Sequence, residues 1–165
     1  MKRNEPHIQI RRAVPDDAAS IAQVLREAFV EYEEFYTREG FAATTPGPEQ
    51  IGNRLREGPA WVAVHLETIV GTASAVVKDE GLYIRGMAVL PSARGRKVGE
   101  LLLAEIEGYA AAHKCRRLFL STTPFLCRAI RLYEQTGFRR SEQEGPHDLF
   151  GTPLFTMVKT LATSD

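Results

Sequence analysis

The spacing of hydrophobic residues changes several times along the chain and divides it into helices and strands. After Pro15, the apolar residues Ile21, Leu25 and Ala28 recur at helical spacing. Elsewhere, alternating or short continuous apolar runs are typical of strands. In chain order, the pattern predicts a strand at 7–13, helices from 15 and over 49–56, strands at 61–66, 69–77 and 82–90, a helix over 98–113, a strand at 118–121, a helix over 125–136, and strands at 138–141 and 154–161.

This order predicts a mixed α/β (α+β) fold with a largely antiparallel sheet of about seven strands and helices on both faces. The three strands between residues 61 and 90 are separated only by turns, which is typical of an antiparallel meander. The helix over 98–113 joins the strand that ends at residue 90 to the strand at 118–121. Because a crossover helix joins parallel neighbours, we expect one parallel pair of strands within this sheet.

Composition narrows the function classes. With 165 residues, 44% hydrophobic and 25% charged, the chain is predicted to form a single domain over residues 1–165. Basic and acidic residues both number 21, so the zero formal charge argues against a general nucleic-acid binder. Membrane-spanning runs and a signal-peptide pattern are absent from the sequence. Cys115, Cys127 and four scattered histidines do not resemble a metal site, and the cysteine usage favours a cytoplasmic setting.

A small basic turn lies between the strand that ends at residue 90 and the helix that begins at residue 98. Its residues 94–99 read RGRKVG, and we refer to them as the basic loop. Free amides at a helix N-terminus favour phosphate, and glycine allows a ligand to approach the backbone closely. For the loop alone, a solvated strand-to-helix turn is an equally good interpretation.

A second motif follows the basic loop by one helix and one strand. The pattern V-x-P-x-x-R-G-x-x-x-G over residues 89–99 and the pattern A-I-x-L-Y-x-x-x-G-F over residues 129–138 together resemble the GNAT superfamily of N-acetyltransferases. The resemblance implies an enzyme that transfers an acetyl group directly from acetyl-CoA to a primary amine in a ternary complex. It also implies a cofactor cleft between two splayed parallel strands and a possible homodimer, with a non-catalytic acyl-CoA-binding or sensing module as the alternative function.

The same resemblance implies which residues bind acetyl-CoA. The basic loop would hold the pyrophosphate, and the backbone of the preceding strand would hold the pantetheine arm. Lys97 stands where family members usually have glycine, and we expect an ordinary negative φ there. Leu126 replaces a frequent asparagine, a contact for which Arg128 is a candidate substitute. The predicted cofactor-binding residues are Met87, Ala88, Val89, Arg94, Gly95, Arg96, Lys97, Val98, Gly99, Glu100, Leu126, Arg128 and Tyr133.

The catalytic residues are less well specified. By resemblance, Tyr133 orients or protonates the leaving thiolate, while simple packing at a helix end is its other interpretation. Many members carry a glutamate base where this chain has Tyr83. The default candidate is therefore Glu34, within the acidic and aromatic segment 31–36, although a solvated helix face also explains that segment. An amine of pKa near 10.4 is only about 0.04% neutral at pH 7, so a missing base slightly favours an acceptor of lower pKa.

Overall fold

The computed structural model describes residues 7–162; the two ends of the predicted domain, residues 1–6 and 163–165, lie outside the described residues. Residues 1–6 are also the first part of the segment for which the sequence predicts no signal peptide. The strands are β1 (Gln9–Arg12), β2 (Ala60–His65), β3 (Thr68–Lys78), β4 (Gly81–Val89), β5 (Arg117–Thr122), β6 (Arg139–Arg140), β7 (His147–Leu149) and β8 (Thr152–Thr160). The α-helices are α1 (Ala18–Phe29), α2 (Arg38–Thr44), α3 (Pro48–Glu57), α4 (Val98–Ala112) and α5 (Cys127–Gln135), and 3-10 turns lie at Pro15–Asp17, Val30–Phe35 and Pro91–Ala93.

The strands form one mixed sheet in the order β1-β2-β3-β4-β5-β8-β6, with β7 paired to β8. The neighbours β4 and β5 are parallel, and the other pairs are antiparallel. Two-residue turns with positive φ at 66–67, 79–80 and 150–151 connect three of the hairpins, a geometry that matches the twist of paired strands. The predicted fold class is confirmed, with eight strands in place of about seven.

The elements that the sequence pattern missed are short. The helix α2 has seven residues with Gly40 among them. It is capped at its N-terminus by Thr37, whose hydroxyl accepts a hydrogen bond from the Gly40 amide at 3.0 Å. The strand β7 has three residues and depends on β8 for its pairing. The predicted helix from residue 125 begins later because Leu126 first closes a turn onto Thr123. Short elements of this kind carry too few residues to establish a period.

Two hydrophobic clusters pack on opposite faces of the sheet. On one face, α4 contributes Leu102 and Ile106, both 0% exposed, against Leu118 and Leu120 of β5. Side chains of α5 pack against the same cluster. On the other face, α1 and α3 cover a smaller cluster that includes Val62 of β2. The alternation of side chains along each strand thus divides the core between the two helical layers, as predicted.

The parallel pair of strands is short. Strands β4 and β5 pair only from Leu82 and Leu118 to Ile84 and Leu120, although both strands continue further. Beyond this point β4 keeps its antiparallel partner β3 and β5 keeps β8. The sheet is therefore continuous at one end of the pair and open at the other.

A bulge at Gly86 coincides with this opening. The register with β3 shifts between Arg85 and Ala88, and Gly86 has a φ of +62°. The extra residue changes the alternation, so that Ile84 and Met87 both belong to the α4 face while Ala88 packs with α1. Glycine is the residue that adopts this conformation without strain.

Replacing Leu102 by Ala should destabilise the protein by about 2–5 kcal/mol, because a fully buried side chain is lost and a cavity remains. The adjacent Leu101 is 39% exposed, and Leu101→Ala should change stability by less than about 1 kcal/mol. Urea unfolding followed by circular dichroism measures both. Equal losses for the two variants would contradict the packing of α4 described above.

Candidate active site

A cleft of about 790 Å³ opens where β4 and β5 separate. This volume lies within the range of small-molecule sites. Its α4 end is lined by the basic loop, the start of α4 and α5. Its α3 end is lined by residues from α1, the segment 30–36, α2, α3 and the hairpin of β7 and β8. The cleft thus lies at the carboxyl ends of the two parallel strands, where ligands bind in open α/β sheets.

The α4 end is suited to an anion. The first helical hydrogen bond of α4 runs from the Leu101 amide to the Lys97 carbonyl at 3.0 Å. The amides of residues 98–100 precede it, and no side chain caps the helix. Arg94, Lys97 and Arg128 line the same end and add positive charge to that of the helix dipole. Backbone donors and basic side chains therefore converge on one region, as a phosphate site requires.

The residues predicted to bind a cofactor all line the cleft except Arg96. The Arg96 guanidinium instead lies 3.2 Å from Nε2 of His65, away from the cleft. The Arg94 side chain reaches the cleft and also forms an ion pair with Glu31. Gly99 is needed for packing as well, since a Cβ there would lie 2.5 Å from Cδ2 of Leu132. A small residue at this point brings α5 close to the start of α4.

The expectation of an ordinary φ at Lys97 is wrong. Lys97 has φ +60° and ψ 27°, which places the residue before α4 in the left-handed region. The chain turns sharply here because Gly95, with φ +84°, and Lys97 together redirect it from β4 into α4. A non-glycine residue in this conformation costs on the order of 1–3 kcal/mol. The left-handed backbone at residue 97 explains why members of the resembled family usually have glycine at this position.

The open edges of β4 and β5 are suited to an extended ligand. Past Ile84, the β4 backbone has no strand partner on its β5 side. On β5, the hydroxyl of Thr122 is buried and makes no hydrogen bond with any described residue. Unpaired strand edges bind extended chains by main-chain hydrogen bonds. The amide-containing arm of an acyl-CoA fits this region chemically.

Tyr133 of α5 lines the α4 end of the cleft. Its side chain lines the cleft, is 6% exposed, and packs against Phe138 with ring centroids 5.6 Å apart. Burial raises the pKa of its hydroxyl above the usual value of 10, so the group stays protonated at neutral pH. Packing and proton donation are therefore compatible interpretations of this residue.

Glu34 does not lie beside Tyr133. It is exposed and does not line the cleft, because the segment is a 3-10 helix that turns Tyr32 and Tyr36 inward instead. Within residues 7–162, Glu100 is the single carboxylate among the lining residues, and it belongs to the α4 end. The two predicted catalytic residues are thus not brought together by the fold.

A serine and a histidine form a contact at the α3 end that the sequence did not indicate. Ser121 lines the cleft, and its Oγ lies 3.0 Å from Nε2 of His147. On the opposite side of the ring, Nδ1 lies 3.4 Å from the carbonyl oxygen of Gly145. A carbonyl only accepts hydrogen bonds, so this contact favours the tautomer with the proton on Nδ1, in which Nε2 accepts from the serine. The exposed histidine thereby connects the cleft to solvent.

Other lining residues were also missed. Gly86 carried a signal, because glycine inside a strand pattern indicates a bulge. Arg54 and Arg85 carried none, since basic residues on a helix and a strand are ordinary surface positions in a sequence. Among residues 7–162, the structure shows no cluster of metal-ligating side chains. None of the helices in that range has the length and apolar character to cross a membrane.

The backbone at residue 97 allows a direct test. Lys97→Gly should be more stable than Lys97→Ala by about 1 kcal/mol, because alanine is strained at positive φ and glycine is not. Both variants lack the charge, so their difference isolates the backbone conformation. Chemical unfolding of the two proteins measures it. At an ordinary negative φ, alanine would be the more stable by about 0.4–1 kcal/mol, and that sign would contradict the left-handed assignment.

Known proteins resemble the chain in sequence and in fold. An IAA acetyltransferase of Azospirillum brasilense is 35% identical over 88 residues, which is 52% of this chain and 58% of that protein, so the chain spans little more than half of its length. An aminoalkylphosphonate N-acetyltransferase of Salmonella typhimurium is 28% identical over 150 residues, covering 86% of this chain and 93% of that protein. The PaiA N-acetyltransferase of Thermoplasma acidophilum, solved with coenzyme A, superposes with a TM-score of 0.79 at 19% identity over 93% of this chain and 99% of that chain.

The family match covers most of the chain. The model of the acetyltransferase (GNAT) family matches residues 21–138, from α1 through the end of the second motif. That range contains β4, the basic loop, α4, β5 and Tyr133, which together form the α4 end of the cleft. The cleft, the motifs and the element order agree with this match, and the chain therefore belongs to the GNAT family of acetyltransferases.

Proposed function

We propose that the protein transfers the acetyl group of acetyl-CoA to a primary amine by direct transfer in a ternary complex. The observation that carries the proposal is the opening between β4 and β5 beside the uncapped amino terminus of α4. Family membership and a structural neighbour solved with coenzyme A support the acyl donor. A relative that is an aminoalkylphosphonate N-acetyltransferase supports an amine acceptor.

In this proposal the α4 end binds the donor. The amides of residues 98–100 and the Lys97 and Arg94 side chains hold the pyrophosphate, with Arg128 near it. The open backbone of residues 87–89 aligns the pantetheine arm as an added strand, and Leu126 packs against it. Charge-assisted hydrogen bonds are worth about 1.5–3 kcal/mol each, so a few of them account for most of the pyrophosphate affinity.

The reaction needs a neutral amine and a stabilised leaving group. The amine nitrogen forms a bond to the thioester carbonyl carbon, the C–S bond breaks, and coenzyme A leaves as a thiolate that takes a proton. Tyr133 donates a hydrogen bond to the departing sulfur, since burial keeps its hydroxyl protonated, and the thiolate takes its proton from solvent. Because a thiol pKa lies near 8.5, the thiolate is already a tolerable leaving group, and Tyr133 contributes mainly by position.

The amine must also lose a proton. We assign this step to Ser121 and His147: the serine accepts from the amine while its own hydroxyl proton passes to Nε2 of the ring, 3.0 Å away. The histidine is exposed and releases the proton to solvent. Ser121 lines the cleft and connects it to His147, whereas Glu34, the candidate from sequence, does not line it.

Binding of the donor can be tested with two variants of the basic loop. Lys97→Gln should weaken acetyl-CoA binding about tenfold or more, because a charge that faces the cleft is lost. Arg96→Gln removes the same charge one residue earlier, but that side chain contacts His65 outside the cleft, so binding should change less than threefold. Isothermal titration with acetyl-CoA measures both. No binding to the wild-type protein would reject the proposed function and the sensing alternative together.

The proton acceptor can be tested by comparing two candidates. His147→Gln should lower kcat about 10²–10⁴-fold with little change in acetyl-CoA affinity, which is the usual range for a lost acid–base group. Glu34→Gln should leave kcat nearly unchanged, since the exposed carboxylate is outside the cleft. Added imidazole should restore part of the His147→Gln rate. Loss of activity in Glu34→Gln alone would assign the step to Glu34, and acetyl-CoA binding without turnover of any amine would favour the sensing module.

A further inference from the structure

The α3 end of the cleft has an excess of positive charge. Arg54 of α3 and Arg85 of β4 both line it, and the single carboxylate that pairs with either of them is Glu57. One guanidinium therefore has no ionic partner at this end of the cleft within the described residues. Charged groups that are partly removed from water are stable only when something compensates them.

Arg54 is the guanidinium without an ion pair in the described part of the chain, and the charge of Glu57 acts on it only at longer range. It forms no ion pair with any described residue, although it is half-buried between α3 and the sheet. Burial and the neighbouring charge of Arg85 both lower the pKa of its guanidinium from 12.5. Its Nη1 lies 3.4 Å from the position that a Cβ on Gly86 would occupy. The guanidinium thus lies directly beside the bulge of β4.

Arg85 has one satisfied side and one unsatisfied side. Its Nη2 is paired with Glu57, an exposed carboxylate whose pKa is lowered by this contact. Its Nε is buried and has no hydrogen-bond partner. A buried donor without a partner costs about 1–3 kcal/mol unless something accepts from it. An anionic group in the cleft would compensate the charges of Arg54 and Arg85 together.

We propose that Arg54 and Arg85 bind an anionic group of the acceptor, a carboxylate or a phosphonate-like oxyanion, and so select amines that carry one. This inference rests on the proposed function. Guanidinium groups bind such anions by paired, charge-assisted hydrogen bonds. Tyr32 and Tyr36 line the same end of the cleft. Among the described residues, no carboxylate lines this end, so the amine has no acidic side chain to bind there.

The position of the subsite also limits the size of the acceptor. Gly86 immediately precedes Met87, and the proposed path of the pantetheine arm along β4 ends at Met87, on the side away from the basic loop. An anion held beside Gly86 is therefore close to the reacting end of the donor. The amine and the anionic group should be separated by only a few bonds, as in small amino acids and aminoalkylphosphonates.

Four small amines of different charge test the inference. Steady-state kcat/KM is measured with acetyl-CoA and β-alanine, 2-aminoethylphosphonate, ethanolamine or 1,4-diaminobutane. We expect the wild-type protein to favour at least one of the two anionic amines over ethanolamine by tenfold or more. The better of β-alanine and 2-aminoethylphosphonate identifies which anion the subsite takes.

Variants of α3 connect that preference to the subsite. Arg54→Gln should reduce the ratio of kcat/KM for the anionic amine to that for ethanolamine by tenfold or more, and Arg54→Lys should recover part of it. Arg56→Gln removes the same charge from an exposed position on the same helix and should leave the ratio unchanged. Circular dichroism and acetyl-CoA affinity report whether each variant is folded.

Three results would overturn the inference. These are equal or better use of ethanolamine or 1,4-diaminobutane, an unchanged ratio in Arg54→Gln, and refusal of both anionic amines by a protein that acetylates other amines. In each of these cases the proposed function stands. Failure to bind acetyl-CoA and to acetylate any amine would instead reject the proposed function itself, and the subsite with it.

Discussion

The early end of pairing between β4 and β5 is the constraint on which the rest of the structure depends. Three residue pairs hold the two strands together, and beyond them each strand has a partner only on its outer side. The crossover helix α4 starts at the carboxyl end of this parallel pair, so its free amides face the opening. The bulge at Gly86 adds one residue to β4 at the same place and redirects the side chains that follow. The cleft is therefore a property of the sheet, and the loops and helices supply its chemistry.

A chain with no net charge can still concentrate charge locally. The lining of the cleft includes five basic side chains and one carboxylate among the described residues, the basic ones being Arg54, Arg85, Arg94, Lys97 and Arg128. The electric field of these side chains does not extend far into solvent, for two reasons. The whole chain has no net charge, and exposed charges are screened within about 8–10 Å at physiological salt. Recognition of the anions proposed above would therefore be a short-range event, governed by hydrogen-bond geometry inside the cleft. Long-range attraction of the kind used by nucleic-acid-binding proteins has little part in it.

The sequence predicted long periodic elements well, and side-chain neighbours poorly. The three-stranded meander, α4, and the parallel pair followed from hydrophobic period and connection type, and the family resemblance followed from two motifs. Short elements such as α2 and β7 lacked a period, and Lys97 carried no sign that its position needs a left-handed backbone. Contacts such as that of Ser121 with His147 join residues 26 positions apart through the pairing of β5, β7 and β8, which no local pattern encodes. Glu34 was expected to be in the site because it is close in sequence to Tyr32 and Tyr36. These aromatic residues face inward, whereas the Glu34 side chain is exposed to solvent.

The open middle of the sheet also has a consequence for backbone dynamics. In most sheets the central strands are the most protected from hydrogen exchange, and the edges exchange first. Here β4 is central in strand order, yet past Ile84 one of its two sides has no ladder. Amides of β4 that face the gap have no β5 partner past Ile84, and the extended ligand proposed above would complete the ladder there. In the proposed complex the ligand would act as a missing strand, and its binding would join two half-sheets, held together by three residue pairs, into one continuous hydrogen-bonded layer.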